Sequence, residues 1–139
     1  GQEVSHALVL STLTARLGAE VAFDSLNVVI GGAVVRHQVY LAFAGEGTNA
    51  GIRGATMIKG RQHADTTLVV DHAVPGCNSR ELFKTVVDGA ATGVFQGKII
   101  VAPDAQKTDG KMMSAAVLLS DEGTMNNKPE PDIFADDVV

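Results

Sequence analysis

Glycines punctuate this chain at nearly even intervals, and no other feature narrows its possible folds as much. Gly31 and Gly32 are followed by Gly45 and Gly47, then by Gly60, Gly76 and Gly89, at steps of 14, 15, 16 and 13 residues counted from the first of each pair. Glycine reaches backbone conformations that other residues adopt only at a cost, so regular glycines mark regular turns. Between them run short stretches with apolar residues at alternate positions, the pattern of strands buried on one face. Before Gly45, Val35, Val39, Leu41 and Phe43 share one face, while Arg36, Gln38 and Tyr40 take the other. Later, Phe95, Ile99 and Val101 alternate with Gln96, Lys98 and Ile100. From Ala19 to Ile30 the phase holds through Val21 and Phe23, slips at Asp24 and Ser25, and resumes at Leu26, Val28 and Ile30. That slip at two small polar residues predicts a corner.

Two intervals of 14 to 15 residues make one flattened coil with two long sides. One Tyr and no Trp suit stacked coils better than a sandwich, and the hexapeptide pattern of left-handed helices is absent. The expected fold is therefore all-β: a right-handed parallel β-helix, or β-solenoid, of flattened coils with two main sheets. One segment pulls the other way. Ser79 to Gly89 reads as a capped amphipathic helix, with Ser79 as N-cap, Glu81 near the positive end, Leu82, Phe83, Val86 and Val87 on one stripe, and Gly89 as stop. The β-branched run Thr85, Val86, Val87 favours extended backbone. A strand is predicted over residues 79 to 88.

Composition narrows the function. At 139 residues the chain fits a single domain able to bury a sizeable core, and 45% hydrophobic with 19% charged residues suits a globular protein. No apolar run approaches the roughly 20 residues needed to cross a bilayer. Lys+Arg of 11 against Asp+Glu of 16 gives a net charge of -5, which argues against a nucleic-acid partner. The single Cys77 excludes an internal disulfide framework and fits a reducing, cytoplasmic compartment. The chain opens at Gly1 without a Met, so its start is expected to have been removed.

Each polar candidate has a structural reading beside the chemical one. His63, Asp65, Asp71 and His72 lie close enough in sequence to suggest a metal site. Alternation puts His63, Asp65 and Asp71 on one face and His72 on the other, which splits the set, so hydrogen bonding at a corner is expected and no metal site. His37 falls in phase with Val35 and Val39 and is expected to be a hydrogen-bonded histidine near a strand start. Cys77 follows Pro75 and Gly76 at a turn and is expected to be a buried thiol, with nothing beside it to activate it. No G-x-x-x-x-G-K-[ST] loop, C-x-x-C pair or G-x-S-x-G elbow occurs. Gly45-Glu46-Gly47 lacks the context of a dinucleotide loop, and Ser79, His72 and Asp71 are not expected to form a hydrolase triad. An alternative is a β-helix carbohydrate lyase or hydrolase using Asp71, Asp88, Asp104 and Asp109 on one sheet face. Its sugar platforms would need aromatics, which are 4% here.

The second half carries a resemblance. CNSRELFKTVVDGAATGVFQGKIIV, AQKTDGKMMSAAVLLS and NKPEPDIFADDVV together resemble the core domain of the SufB/SufD family, with NSRELFK and AQKTDG looking like its SufD branch. Upstream, GATMIKGRQHADTTLVVDH also fits, while residues 1 to 30 match only in strand texture. The resemblance implies a right-handed parallel β-helix acting in cytosolic iron-sulfur cluster assembly, where SufB, SufD and the ATPase SufC work together. It implies a scaffold subunit of the SUF machinery, the SufBCD complex, and not an enzyme. In the family an Asp-Asp-Val is followed at once by a Cys and soon by a His; this chain ends at Val139 before either, and before the helical region that docks SufC. Residues 1 to 139 are thus expected to be the central part of one core domain, lacking the family's terminal helical regions. No cofactor is expected within this piece, His72 and Cys77 being the weak candidates for contact with a transient cluster. Partners implied are SufB and SufC, or a second SufD in a homodimer, with no nucleic acid and no membrane. Ile133, Phe134, Asp136 and Asp137 are the expected interface, and the piece is expected to self-associate through its open ends.

Overall fold

In the computed structural model of the chain, residues 8–30, 33–105 and 109–134 are described. Among the described residues nine strands follow one another: β1 (Leu8–Leu17), β2 (Ala22–Ile30), β3 (Val34–Phe43), β4 (Asn49–Ile58), β5 (His63–His72), β6 (Asn78–Val87), β7 (Thr92–Val101), β8 (Asp109–Leu118) and β9 (Thr124–Phe134). Odd strands form one parallel sheet in the order β1-β3-β5-β7-β9, and even strands form a second in the order β2-β4-β6-β8. The chain therefore alternates between sheets at every corner, and each strand lies on the strand two before it. This is the β-solenoid that the glycine spacing predicts. His63 of β5 pairs with Val34 of β3 and with Thr92 of β7, a repeat of 29 residues each way, or two of the glycine intervals.

The corners explain the glycines. Gly47 and Gly76 occupy equivalent corners with φ of 78° and 76°, and the Gly47 N–H donates to the Gly76 carbonyl at 3.2 Å. Gly60 and Gly89 form the matching ladder on the other side, with φ of 66° and 60°. A side chain at Gly89 would press on the Gly60 backbone nitrogen at 2.9 Å. Glycine is thus favoured by both conformation and space. One coil earlier, Glu20 holds the same left-handed turn at φ 55° without being a glycine.

β6 is a strand despite its helix-like caps and stripe. β4 and β8 offer backbone partners on both sides, with Ser79 beside Ala50 and Gly110, and this pairing outweighs a weak intrinsic preference. The corner expected at Asp24 and Ser25 is absent. β2 pairs with β4 without a break from Ala22↔Asn49 to Ile30↔Met57. The turn comes earlier, before Ala22. Phe23, Ser25, Asn27 and Val29 face inward, while Leu26, Val28 and Ile30 face out.

Burial stabilises the stack, at about 1.5–3 kcal/mol for each large apolar side chain fully buried. The apolar interior forms two clusters. One contains Val39, Leu41, Phe43, Leu68, Phe83 and Phe95 among others, and the second contains Val35, Ile58, Ala64, Val87 and Ala91. A buried polar residue separates them along each central strand: His37 on β3, Thr56 on β4, Thr66 on β5 and Thr85 on β6.

Candidate functional site

β5 ends with His72 pointing inward, the chain turns through Pro75 and Gly76, and β6 begins with Ser79 and Glu81 on its inward face. Period-two alternation on both strands therefore converges three polar side chains on one end of the interior. His72 Nε2 lies 3.0 Å from Ser79 Oγ, and the Ser79 hydroxyl donates to Glu81 Oε1 at 3.3 Å. With that hydroxyl hydrogen directed at Glu81, the serine oxygen accepts from Nε2–H. The imidazole also stacks on Phe43, ring centroids 4.5 Å apart and 22° from parallel. His72 and Ser79 are fully buried and Glu81 is 2% exposed. Burial pushes the Glu81 carboxyl up to about 8, against weaker opposing effects of the Ser79 hydrogen bond and the Arg80 charge. Glu81 is accordingly a neutral acid at pH 7.

This chain of groups is not a nucleophile triad. Serine sits between the base and the acid, whereas a triad needs the acid on the far side of the histidine. Asp71 faces outward, accepting a hydrogen bond from the Tyr40 hydroxyl at 3.1 Å. That bond holds the Tyr40 phenol above its usual range, followed by the Asp71 charge and by burial. The sequence predicts the strand over residues 79 to 88 and discounts a triad of Ser79, His72 and Asp71, but it gives Glu81 a role only in the competing helical reading of this segment. The signal for Glu81 was its parity with Phe83, which faces the core.

The remaining candidates scatter. His63 and Asp65 pair with each other on the outer face at 3.1 Å, opposite in direction to His72. Cys77 is buried, its thiol donating to the Gly45 carbonyl at 3.2 Å. His37 is buried in phase with Val35 and Val39 as expected, yet neither ring nitrogen has a hydrogen-bond partner among the described residues. Its expected hydrogen bond is therefore not found, although its register neighbours Ser11 on β1 and Thr66 on β5 both carry hydroxyls. Burial holds the His37 imidazole below its usual range. The acids of the carbohydrate reading do not share a face: Asp71 lies on β5, Asp109 opens β8 in the other sheet, and Asp88 and Asp104 follow the ends of β6 and β7. Parity within one strand cannot align residues that fall in corners and in different sheets.

Iron-sulfur chemistry needs thiolate or imidazole donors in a convergent set. Among the described residues no three His, Cys, Asp or Glu side chains are placed to hold a metal ion. The described residues do not fit a resident cluster. Ile133 and Phe134 belong to β9, which pairs with Ile100 and Val101 of β7 after a register shift and is the last strand of its sheet. Asp136 and Asp137 lie outside the described residues.

The profile described as SUF system FeS cluster assembly, SufBD core domain, matches residues 2–139. The chain belongs to the SufBD core-domain family. It is 37% identical over 114 residues to the iron-sulfur cluster assembly protein SufD of Escherichia coli, covering 82% of this chain and 27% of that protein. An iron-sulfur cluster assembly SufBD family protein of Synechocystis is 30% identical over 131 residues, covering 93% of this chain and 28% of its own length. Protein ABCI7, chloroplastic, of Arabidopsis thaliana is 32% identical over 126 residues, covering 88% of this chain and 26% of its own. The chain thus spans little more than a quarter of these relatives. The matched family is described by iron-sulfur cluster assembly. Among the described residues no helix is long and apolar enough to cross a membrane.

Proposed function

We propose that this SufBD core segment serves as a scaffold in the SUF machinery, acting in the cytoplasm through protein contacts and not by catalysis. Its partners on this reading are SufB and the ATPase SufC, or a second SufD-like chain, and the iron-sulfur cluster is cargo handled by the whole assembly. The carrying observation is the family match over residues 2–139, joined to an interior that is packed and a polar chain that is sealed. His72, Ser79 and Glu81 hold one another inside the coil, where a substrate would have to unstack strands to reach them. Cys77, donating to the Gly45 carbonyl, anchors one corner to the next in the same way.

A chimera tests this reading. The segment of E. coli SufD that aligns with this chain is replaced by the present sequence, and the product is expressed in a strain lacking SufD. Restored activity of iron-sulfur enzymes, and co-purification with SufB and SufC, are the expected results. A stable, folded chimera that does neither would sink the scaffold assignment.

A further inference from the structure

The two outer sheet faces differ in chemistry. On the five-stranded sheet the outward positions of the central strands are mixed, with Arg36, Gln38, Asp65, Thr67 and Gln96 beside Tyr40, and exposed leucines, Leu8 and Leu10, occur on the edge strand β1. On the four-stranded sheet the outward positions carry Leu26, Val28, Ile30, Met57, Met113 and Val117, exposed by 50% to 74%. The register makes them contiguous: Ile30 lies beside Met57, and Val86 joins Met57 to Val117. Scattered exposed apolar residues are ordinary, but a continuous patch across four strands marks a contact surface.

Two cations stand in this patch. Lys84 sits between Ala55 and Ala115 in the register, and Arg53 between Leu26 and Leu82. Neither has an ion-pair partner among the described residues, and the ion pairs formed there are His63–Asp65 and Arg80–Asp109. The chain as a whole carries -5, so this local positive charge runs against its own average.

From this juxtaposition we infer that the outer face of the four-stranded sheet docks an amphipathic helix of a partner protein, apolar along one stripe and acidic along its flanks. Sheet faces are covered by helices or by other sheets. The patch is roughly 14 Å wide, four strands at about 4.8 Å spacing, which suits one helix of about 10 Å diameter. A second copy of the same face would bring unpaired Lys84 and Arg53 side chains together in an apolar contact, an arrangement penalised by desolvation and repulsion. An anionic membrane would meet the same two cations, so vesicle binding is an outcome that the experiment separates from helix binding. The inference adds a partner class to the scaffold reading without depending on SufB or SufC being that partner.

Two synthetic helices with the same leucine stripe, one flanked by Glu and one by Lys, are titrated by fluorescence anisotropy against the 139-residue chain and against the E. coli SufD chimera. The Glu-flanked helix is expected to bind both proteins. The Lys-flanked helix should bind about tenfold more weakly, the scale of two or so surface ion pairs. The surface variant Arg53→Glu/Lys84→Glu, checked for native circular dichroism, should reverse that preference, and Met57→Glu should abolish binding of either helix. Thr67→Glu, on the opposite outer face, should change nothing. The inference is overturned if both helices bind alike or neither binds, or if the chimera fails to bind because its own chain covers the face. Equally fatal would be a concentration-dependent dimer or vesicle binding that Met57→Glu removes while helix binding is absent. Rescue and co-purification of the chimera are read separately, so failure here leaves the scaffold assignment standing, and the converse holds.

Discussion

His72 Nε2 lies 3.0 Å from Ser79 Oγ across the corner that joins β5 to β6, and both side chains are fully buried. Seven residues apart in sequence, they meet because the last inward position of one strand and the first of the next are brought together by the turn at Gly76. Ser79 passes the contact on to Glu81, so a titratable carboxyl closes the chain.

Stability should therefore fall as pH rises. Burial lifts the Glu81 carboxyl from 4.5 to about 8, so the folded state holds a proton that the unfolded chain has already lost. The contribution is fully present below about pH 4.5 and is lost progressively as pH climbs through about 8. Its slope reaches at most about 1.4 kcal/mol per pH unit in that window. Glu81→Gln, which keeps the shape and removes the ionisation, should flatten this part of the profile. Urea midpoints at pH 5, 7 and 9 decide it: equal slopes for both proteins would mean that Glu81 ionises freely in the fold.

His37 predicts the opposite limb. Its burial favours the neutral ring, so its contribution is intact above pH 6.5 and lost as pH falls below that value. Neither nitrogen has a hydrogen-bond partner among the described residues, and an unsatisfied buried polar group costs about 1–3 kcal/mol. His37→Leu should raise stability at neutral pH by about 1 kcal/mol and remove the acid-side loss. A variant less stable than the parent at pH 7 would count against this.

Glu20 holds a left-handed turn, φ 55°, at the corner where the following coils use Gly47 and Gly76. That conformation costs a side-chain-bearing residue about 1–2 kcal/mol, partly offset by glycine's greater freedom in the unfolded chain, about 0.5–1 kcal/mol. Glu20→Gly should gain roughly 0.5 kcal/mol, and Glu20→Val should lose more than about 1 kcal/mol because a β-branched residue fits that region worst. The side chain is exposed, so the order Gly, Glu, Val in chemical denaturation would isolate the backbone effect. Equal midpoints for Glu and Val would reject it.

The solenoid was legible because two periods agree. Alternation supplied the strands, as in Val35, Val39, Leu41 and Phe43, and the glycine steps supplied the 29-residue coil. Where inward and outward positions carry the wrong polarity, reading failed. In β2 the inward Ser25 and Asn27 and the outward Leu26, Val28 and Ile30 mimic a phase slip, although the pairing with β4 never breaks. Those outward side chains answer to a contact outside the coil, which local pattern cannot distinguish from core. The same limit hid the site. Ser79 and Glu81 look like cap and first-turn residues of a helix, and only the strands on either side turn them inward beside His72.

The interior also sets a size limit that a double-mutant cycle can read. Gly54 faces inward on β4 directly beside Phe83 of β6, and a methyl group there would overlap the Phe83 ring at Cδ2 and Cε2. Phe83 cannot swing away freely, being 3% exposed with its ring centroid 5.3 Å from that of Phe95. Gly54→Ala should therefore destabilise the fold by about 1–3 kcal/mol through overpacking, although alanine suits a strand no worse than glycine does. Phe83→Leu alone should also destabilise, by shrinking a buried side chain. Together the two changes should cost less than their separate effects, because the smaller leucine makes room for the new methyl, with a coupling of about 0.5–3 kcal/mol. Strict additivity in urea denaturation would mean that the ring and the glycine are not in contact.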